Sequence, residues 1–260
     1  MPTSSNDVLY LYALTPAANA PVDVDGLGAG VARVQCGAWT AVVDTVPKPT
    51  WTGDDADARL NDLRWVAPRA CAHEDVVEYV MAHGPVYPAR FGTLFSSAEH
   101  LTETVAAQHE ALVAFFERVA QAEEWSVKGY LDRQKAVAFR TEAAGARVAS
   151  SGTAYLQQRQ QEEQVRASLD AWLSTVGDAV ATALDAIPRA LAARPPGTAP
   201  NESAPPVFHW AALVPTAQRS AFLQHVESLH GQYAVQGLRL EASGPWPPYT
   251  FRTAEGSPSL

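Results

Sequence analysis

Apolar positions come in two rhythms along this chain, and their alternation sets out the elements. Val8-Leu9-Tyr10-Leu11-Tyr12-Ala13-Leu14 is a β-rich run ended by Thr15-Pro16, and it predicts an opening strand. Val31 to Val34 and Trp39 to Val46 predict a hairpin turned at Cys36-Gly37. Helical spacing follows. Leu60, Leu63 and Val66 share one stripe before Pro68, and Val76, Val77, Val80 and Met81 share another before Gly84-Pro85 stops the chain. Val86 to Leu94 then reads as a strand or strand-like turn. Ser96 with Glu99 makes a capping box, and Leu101, Val105, Leu112, Phe116 and Val119 form the apolar stripe of the helix behind it.

A second series begins at Trp125 to Leu131, which reads as a strand. Val165, Leu169, Trp172, Leu173, Val176, Val180, Leu184 and Ile187 recur at three- and four-residue spacing, predicting a long helix from near Ser151-Gly152 to Pro188. Val207 to Val214 reads as a buried strand. A helix carrying Phe222, Leu223, Val226 and Leu229 follows, closed by Gly231, and Leu238 to Ala242 alternates as a final strand. This order predicts an α+β fold of two mixed α/β domains, the C-terminal one ferredoxin-like, with helices on one face of a small antiparallel sheet. The expected boundaries are 1–122 for the N-terminal domain and 123–252 for the C-terminal one, with a Pro-rich loop at 194–206 and a tail at 253–260.

Composition narrows the function classes. At 260 residues and 47% hydrophobic the chain can bury substantial cores. A formal charge of -9 and a pI near 5.2 argue against a nucleic-acid partner, which needs a basic face to release counterions. The densest basic stretch, Lys128 to Arg147, reads as a solvated linker. Cys36 and Cys71 are the only cysteines, too few for a disulfide framework or a zinc site, and a reducing cytoplasm fits them best. No segment approaches the roughly 18 apolar residues of a membrane helix, so no membrane partner is expected.

Catalytic chemistry is sparse. No two of the seven histidines have the spacing of a helical zinc site, no metal or other cofactor is expected, and Gly26-Leu27-Gly28-Ala29-Gly30 lies between predicted strands, where it reads as a flexible connection. His73-Glu74 opens a predicted helix, where an acid is ordinary dipole chemistry. In Val86 to Phe95, Arg90 stands among apolar neighbours, followed by Phe91 and by Gly92, which permits close backbone approach. Arg90 should meet a carboxylate, either within the chain at Glu123, Glu124 or another acid, or on a partner. Gly244-Pro245-Trp246-Pro247-Pro248-Tyr249-Thr250-Phe251 packs three prolines and three aromatics into eight residues, with no nucleophile or metal ligand. The prolines hold it extended, and Trp246, Tyr249 and Phe251 project as anchors suited to docking or to closing the fold's own edge. Trp246 is expected to tuck against the final strand, with Tyr249 more exposed.

Taken in order, these motifs resemble a known family. The Tyr10-Leu11-Tyr12 strand, His73-Glu74 with Val76-Val77, Tyr87-Pro88-Ala89-Arg90-Phe91-Gly92-Thr93, Glu124-Trp125-Ser126-Val127-Lys128, Gly152-Thr153-Ala154-Tyr155-Leu156, Leu213-Val214 and the terminal proline-aromatic run are similar to the GvpL/GvpF family of gas vesicle proteins. The family pattern Leu-Pro-Leu-Arg-Phe-Gly stands here as Tyr87 to Gly92, and Glu-x-Gly-Val-Lys has Ser126 in place of its glycine. The resemblance implies a non-catalytic cytoplasmic accessory protein of gas vesicle formation, whose partners are the small hydrophobic shell subunit and other accessory proteins. It also implies two α/β domains with a ferredoxin-like second one. Arg90, Phe91, Gly92, Trp246, Pro247, Pro248, Tyr249 and Phe251 are the motif or partner-binding residues it marks. The competing readings are a small-molecule-binding regulatory α+β protein, and an enzyme that would need His73, Glu74 and Arg90 to converge.

Overall fold

The opening apolar run forms β1 (Asp7–Thr15), buried at every position from Val8 to Thr15. Successive strand side chains point to opposite faces, so uninterrupted burial means that both faces are covered. Val8, Tyr10 and Tyr12 belong to a core with Val42, Val46, Trp51, Val76, Val77 and Val80. Leu9 and Leu11 are as deeply buried on the opposite face. The computed structural model describes residues 6–16, 18, 20–143, 160, 163–197 and 205–252.

β1 pairs antiparallel with β3 (Trp39–Pro47), and β2 (Ala32–Cys36) folds back on β3 as the expected hairpin. With β4 (Tyr87–Pro88) and β5 (Leu94–Phe95), both paired to β1, the first sheet runs in the order β2-β3-β1-β4. Helices α1 (Lys48–Trp51), α2 (Asp54–Leu60) and α3 (Leu63–Met81) follow β3. The expected stop at Pro68 does not occur, because Pro68 lies inside α3, where it removes one donor near the helix start. The carbonyl four residues back belongs to Arg64, an exposed residue that water can satisfy. Leu60 and Leu63 are not core positions either, being 45% and 74% exposed. Asp62 caps a new helix by accepting from the Arg64 N–H, so Leu60 and Leu63 belong to different helices and share no stripe.

The capping serine of α4 (Ala98–Ala107) is Ser97, which accepts from the His100 N–H at 3.2 Å; Ser96 instead bonds the His100 ring. Gln108 separates α4 from α5 (His109–Val119), and this break turns Phe115 inward and leaves Phe116 half-buried, stacked 4.9 Å from Trp39.

The second unit contains β6 (Ala122–Leu131), α6 (Arg133–Ala143), α7 (Leu169–Leu184), β7 (Ala190–Ala193), β8 (Phe208–Pro215), α8 (Arg219–Ala234) and β9 (Leu238–Trp246). Its sheet order is β7-β8-β6-β9, with β8 antiparallel to both β6 and β7. Leaving α6 aside, strands and helices alternate as βαββαβ, the ferredoxin-like arrangement. Val176, Val180 and Leu184 of α7 and Phe222, Val226 and Leu229 of α8 pack on Trp125, Val127, Trp210, Ala212, Leu238 and Leu240.

The stretch read as a solvated linker is partly α6, capped where Asp132 accepts from the Lys135 N–H, with Ala136 and Thr141 buried and Arg140 over the Trp172 ring. α8 continues past Gly231 to Ala234. The predicted start of the long helix near Ser151, the Gly152 to Leu156 motif, residues 198–204 of the Pro-rich loop and the 253–260 tail fall outside the described residues.

The expected second domain ran from 123 to 252, but the chain divides differently. One unit spans the chain to Ala120 together with the segment beginning at Trp246; the other is Gln121–Pro245. Tyr249, Phe251 and Arg252 bond to residues of the first unit, which is why the segment belongs there.

The glycine-rich connection is ordered around one buried carboxylate. Asp44, 1% exposed, accepts from the N–H groups of Gly28 at 2.8 Å, Gly30 at 3.0 Å and Thr45 at 2.7 Å, while the Leu27 N–H donates to the Tyr12 hydroxyl at 2.7 Å. A Cβ on Gly28 would lie 2.2 Å from the Thr45 carbonyl oxygen. Asp44→Ala leaves these buried donors unsatisfied, and urea denaturation is expected to show a loss of about 2–4 kcal/mol. An unchanged midpoint would contradict this account of the loop.

Candidate functional site

The Arg90-Phe91-Gly92-Thr93 segment is a tight turn between β4 and β5. The Thr93 N–H donates to the Arg90 carbonyl at 3.1 Å, and Gly92 has φ 82, the third-position value of a type II turn. A Cβ on Gly92 would meet nothing within 4 Å. The glycine is therefore required by its backbone conformation, and the expected close approach is not its reason. The turn is fastened to β1 by Ala89 N–H to the Tyr12 carbonyl and Leu11 N–H to the Thr93 carbonyl.

Side chains complete the fastening. The Gly92 N–H donates to the Tyr10 hydroxyl at 3.0 Å, and that hydroxyl lies 2.9 Å from His73 Nδ1. His73 Nε2 lies 3.2 Å from the Tyr249 hydroxyl, which donates to Glu74 Oε2 at 3.0 Å. His73 and Glu74 sit in the middle of α3, not at a helix start. With Glu74 ionised, the single Tyr249 hydrogen goes to the carboxylate, so His73 Nε2 must donate to the Tyr249 oxygen. In a neutral ring Nδ1 then accepts from Tyr10. The chain of donors has one direction, from the turn through two tyrosines and a histidine to Glu74.

Burial sets the electrostatics of this chain. Desolvation pushes the His73 pKa down to about 4, and it raises those of Tyr10 and Tyr249 far above the ordinary phenol. Glu74 is also raised, first by burial and then by Glu78 and Asp75, against the lowering effect of the Tyr249 hydrogen bond. Aromatic rings enclose the histidine, with Tyr10, Tyr12 and Phe91 centroids 5.6, 5.5 and 5.9 Å away. Trp51 extends the cluster, with Tyr10 at 4.9 Å and Phe91 at 5.6 Å.

The C-terminal segment is held at two further points. The Arg252 guanidinium donates to the Pro88 carbonyl at 3.0 Å, and Arg118 donates to the Phe251 carbonyl at 3.0 Å. Pro247, Pro248 and Phe251 are buried, and Tyr249 is half-buried. Trp246 is 40% exposed, so the expected order of burial is reversed: Tyr249 anchors and Trp246 is displayed. Arg90 is exposed and pairs with no acid among the described residues, while Glu123, its expected partner, binds Arg219. Phe91 and Gly92 do meet the C-terminal run through the tyrosine and histidine chain, whereas Trp246 takes no part in it.

A family model described as gas vesicle synthesis protein GvpL/GvpF matches residues 8–253. The chain belongs to this family. It is similar to gas vesicle protein L of a Streptomyces species, 27% identical over 95% of this chain and 94% of the relative. Gas vesicle protein L2 of Halobacterium salinarum is 28% identical over 88% and 80% of the two chains. Crystal structures of GvpF from an Anabaena species and from Microcystis aeruginosa share the fold, with TM-scores of 0.67 and 0.64 at 20% identity, each over 95% of this chain and over 97% and 99% of the solved chains. In this GvpL/GvpF chain, no described helix is long and apolar enough to cross a membrane, and no three described His, Cys, Asp or Glu residues are grouped to hold a metal.

Sequence reasoning singled out the turn and the terminal run separately and missed their connection. Tyr10 was noticed only as a motif position, His73 and Glu74 as a motif pair and as candidates for an enzyme site with Arg90, and Arg252 and Asp44 not at all. A tyrosine in an apolar strand, such as Tyr10 in Val8 to Leu14, carries a hydroxyl that needs a partner when buried, and that need was the available signal.

Tyr249→Phe removes the oxygen that links His73 to Glu74 and is expected to cost about 1–3 kcal/mol in urea denaturation, with no change of fold. The pH profile has a definite sign. His73 is protonated near pH 6.5 when unfolded and near 4 when folded, so the unfolded chain binds more protons between these values and stability falls as pH drops. Glu74, raised in the fold, acts in the opposite direction above its unfolded value. Relative to His73→Gln, the wild-type protein should lose about 2 kcal/mol between pH 7 and pH 5. Parallel profiles would contradict the burial of a neutral histidine.

Proposed function

We propose that this protein is a non-catalytic accessory protein of gas vesicle formation, working in the cytoplasm, where it binds the small hydrophobic shell subunit and other accessory proteins during assembly. The observation that carries the reading is the way the C-terminal segment is built. Tyr249, Phe251 and Arg252 fix it to the first unit, and Trp246 at its start remains 40% exposed. A large aromatic on a stiff, anchored backbone loses little entropy on docking, which suits capture of an apolar subunit. The absence of catalysis is supported by how the titratable pair is used. His73 and Glu74 are hydrogen-bonded to Tyr10 and Tyr249, and neither bonds to Arg90 among the described residues.

The second reading, a small-molecule-binding regulatory protein, rests on a cleft of about 560 Å³ in the second unit. Lys128 and Tyr130 of β6, Leu223 and Glu227 of α8, and Glu241 of β9 are among its lining residues. Its charged lining groups, Lys128, Glu227 and Glu241, are of mixed sign, which favours the docking role.

The test is binding of purified protein to the shell subunit. Trp246→Ala is expected to weaken that binding by about tenfold, while melting stays close to wild type because the ring is largely outside the core. Unchanged binding would remove Trp246 from the docking surface, and failure of the wild-type protein to bind would overturn the proposed partner.

A further inference from the structure

We infer that Arg90 and Arg252 together form a receptor for a carboxylate side chain of a protein partner. Arg252 is 5% exposed. Its Nη1 donates to the Pro88 carbonyl, its guanidinium lies 5.6 Å from the Tyr87 ring centroid, and its buried Nε has no partner. Arg90 lies two residues beyond Pro88, exposed, and close enough for its charge to act on both Arg252 and Tyr87. Neither arginine pairs with an acid among the described residues. Burying a guanidinium is costly unless it is paired, and a second positive charge nearby adds to that cost.

The contrast with the rest of the chain makes the omission informative. Acids outnumber basic residues 28 to 19. The exposed or half-exposed Arg59, Arg133, Arg219 and Arg239 are bridged to Asp55, Asp170, Glu123 and Glu241. The buried cation, which has most to gain from a counter-charge, has none among the described residues. Guanidinium groups bind carboxylate and phosphate oxygens with the same forked geometry. A carboxylate on a side chain fits better here, because the half-buried Phe91 beside Arg90 offers apolar surface to its aliphatic stem. The net charge of -9 also opposes a multiply charged phosphate.

The inference deepens the docking role proposed above, and its test uses no gas vesicle component, so either can fail without the other. The probe is a fluorescein-labelled Ala-Glu-Ala-Glu-Ala peptide, read by anisotropy, with the Gln-for-Glu peptide as control and inorganic phosphate as competitor. The Glu peptide is expected to bind at least about tenfold more tightly than the Gln peptide, and added salt should weaken it. Arg90→Gln should lose that preference with unchanged melting, since the side chain is exposed; Arg252→Met should lose it as well. The inference is overturned if the Glu peptide does not bind, if both peptides bind alike, if Arg90→Gln binds as wild type does, or if phosphate displaces the peptide at equal concentration.

Discussion

Tyr249 stands between His73 and Glu74, neighbours on one turn of α3, and its hydroxyl has a single hydrogen to give. The carboxylate takes it. Everything upstream then follows by elimination: His73 donates through Nε2, accepts through Nδ1, and so takes the Tyr10 hydrogen, leaving the Tyr10 oxygen to receive the Gly92 N–H. One proton arrangement thus connects β1, α3, the Arg90 to Thr93 turn and the C-terminal segment, four pieces of chain that are far apart in sequence. Because each group is buried or half-buried, a break anywhere leaves a polar atom without water to replace its partner.

This constraint accounts for the composition of the terminal run. Its prolines have no N–H donor to satisfy, so the part of the run from Pro247 on can lie in the first unit without pairing as a strand. It is held instead by one phenol, by Arg118 on the Phe251 carbonyl, and by Arg252 on the Pro88 carbonyl. Tyr249 fills a structural role in this attachment, while Trp246, three positions earlier, is 40% exposed and is the residue proposed for docking.

Periodicity exposed the strands and most helices because burial acts on every residue of an element, and β1, the β2-β3 hairpin, α7, β8 and a strand-helix-strand-helix-strand order in the second half were legible for that reason. Local events were not. Pro68 stays inside α3 because the carbonyl it strands is exposed, and Leu60 and Leu63 leave the core because Asp62 starts a new helix between them. β7, Ala190-Leu191-Ala192-Ala193, has no β-branched residue and exists through its pairing with β8. The site shows the same division. The turn and the terminal run each stood out by composition, but a hydrogen bond across 176 residues leaves no local trace. Asp44 was invisible for a related reason: a carboxylate in a strand looks solvated until the glycine N–H groups that surround it are in place.

In this GvpL/GvpF chain a buried polar network holds the C-terminal segment in place, and Trp246 and Arg90 are exposed. The arrangement of protons in that network is the central claim, and nitrogen NMR of the His73 imidazole in ¹⁵N-histidine-labelled protein tests it directly. At pH 7 the ring is predicted to be neutral, with the proton on Nε2 and a pyridine-type Nδ1. A charged ring, or a neutral ring protonated at Nδ1, would contradict the account.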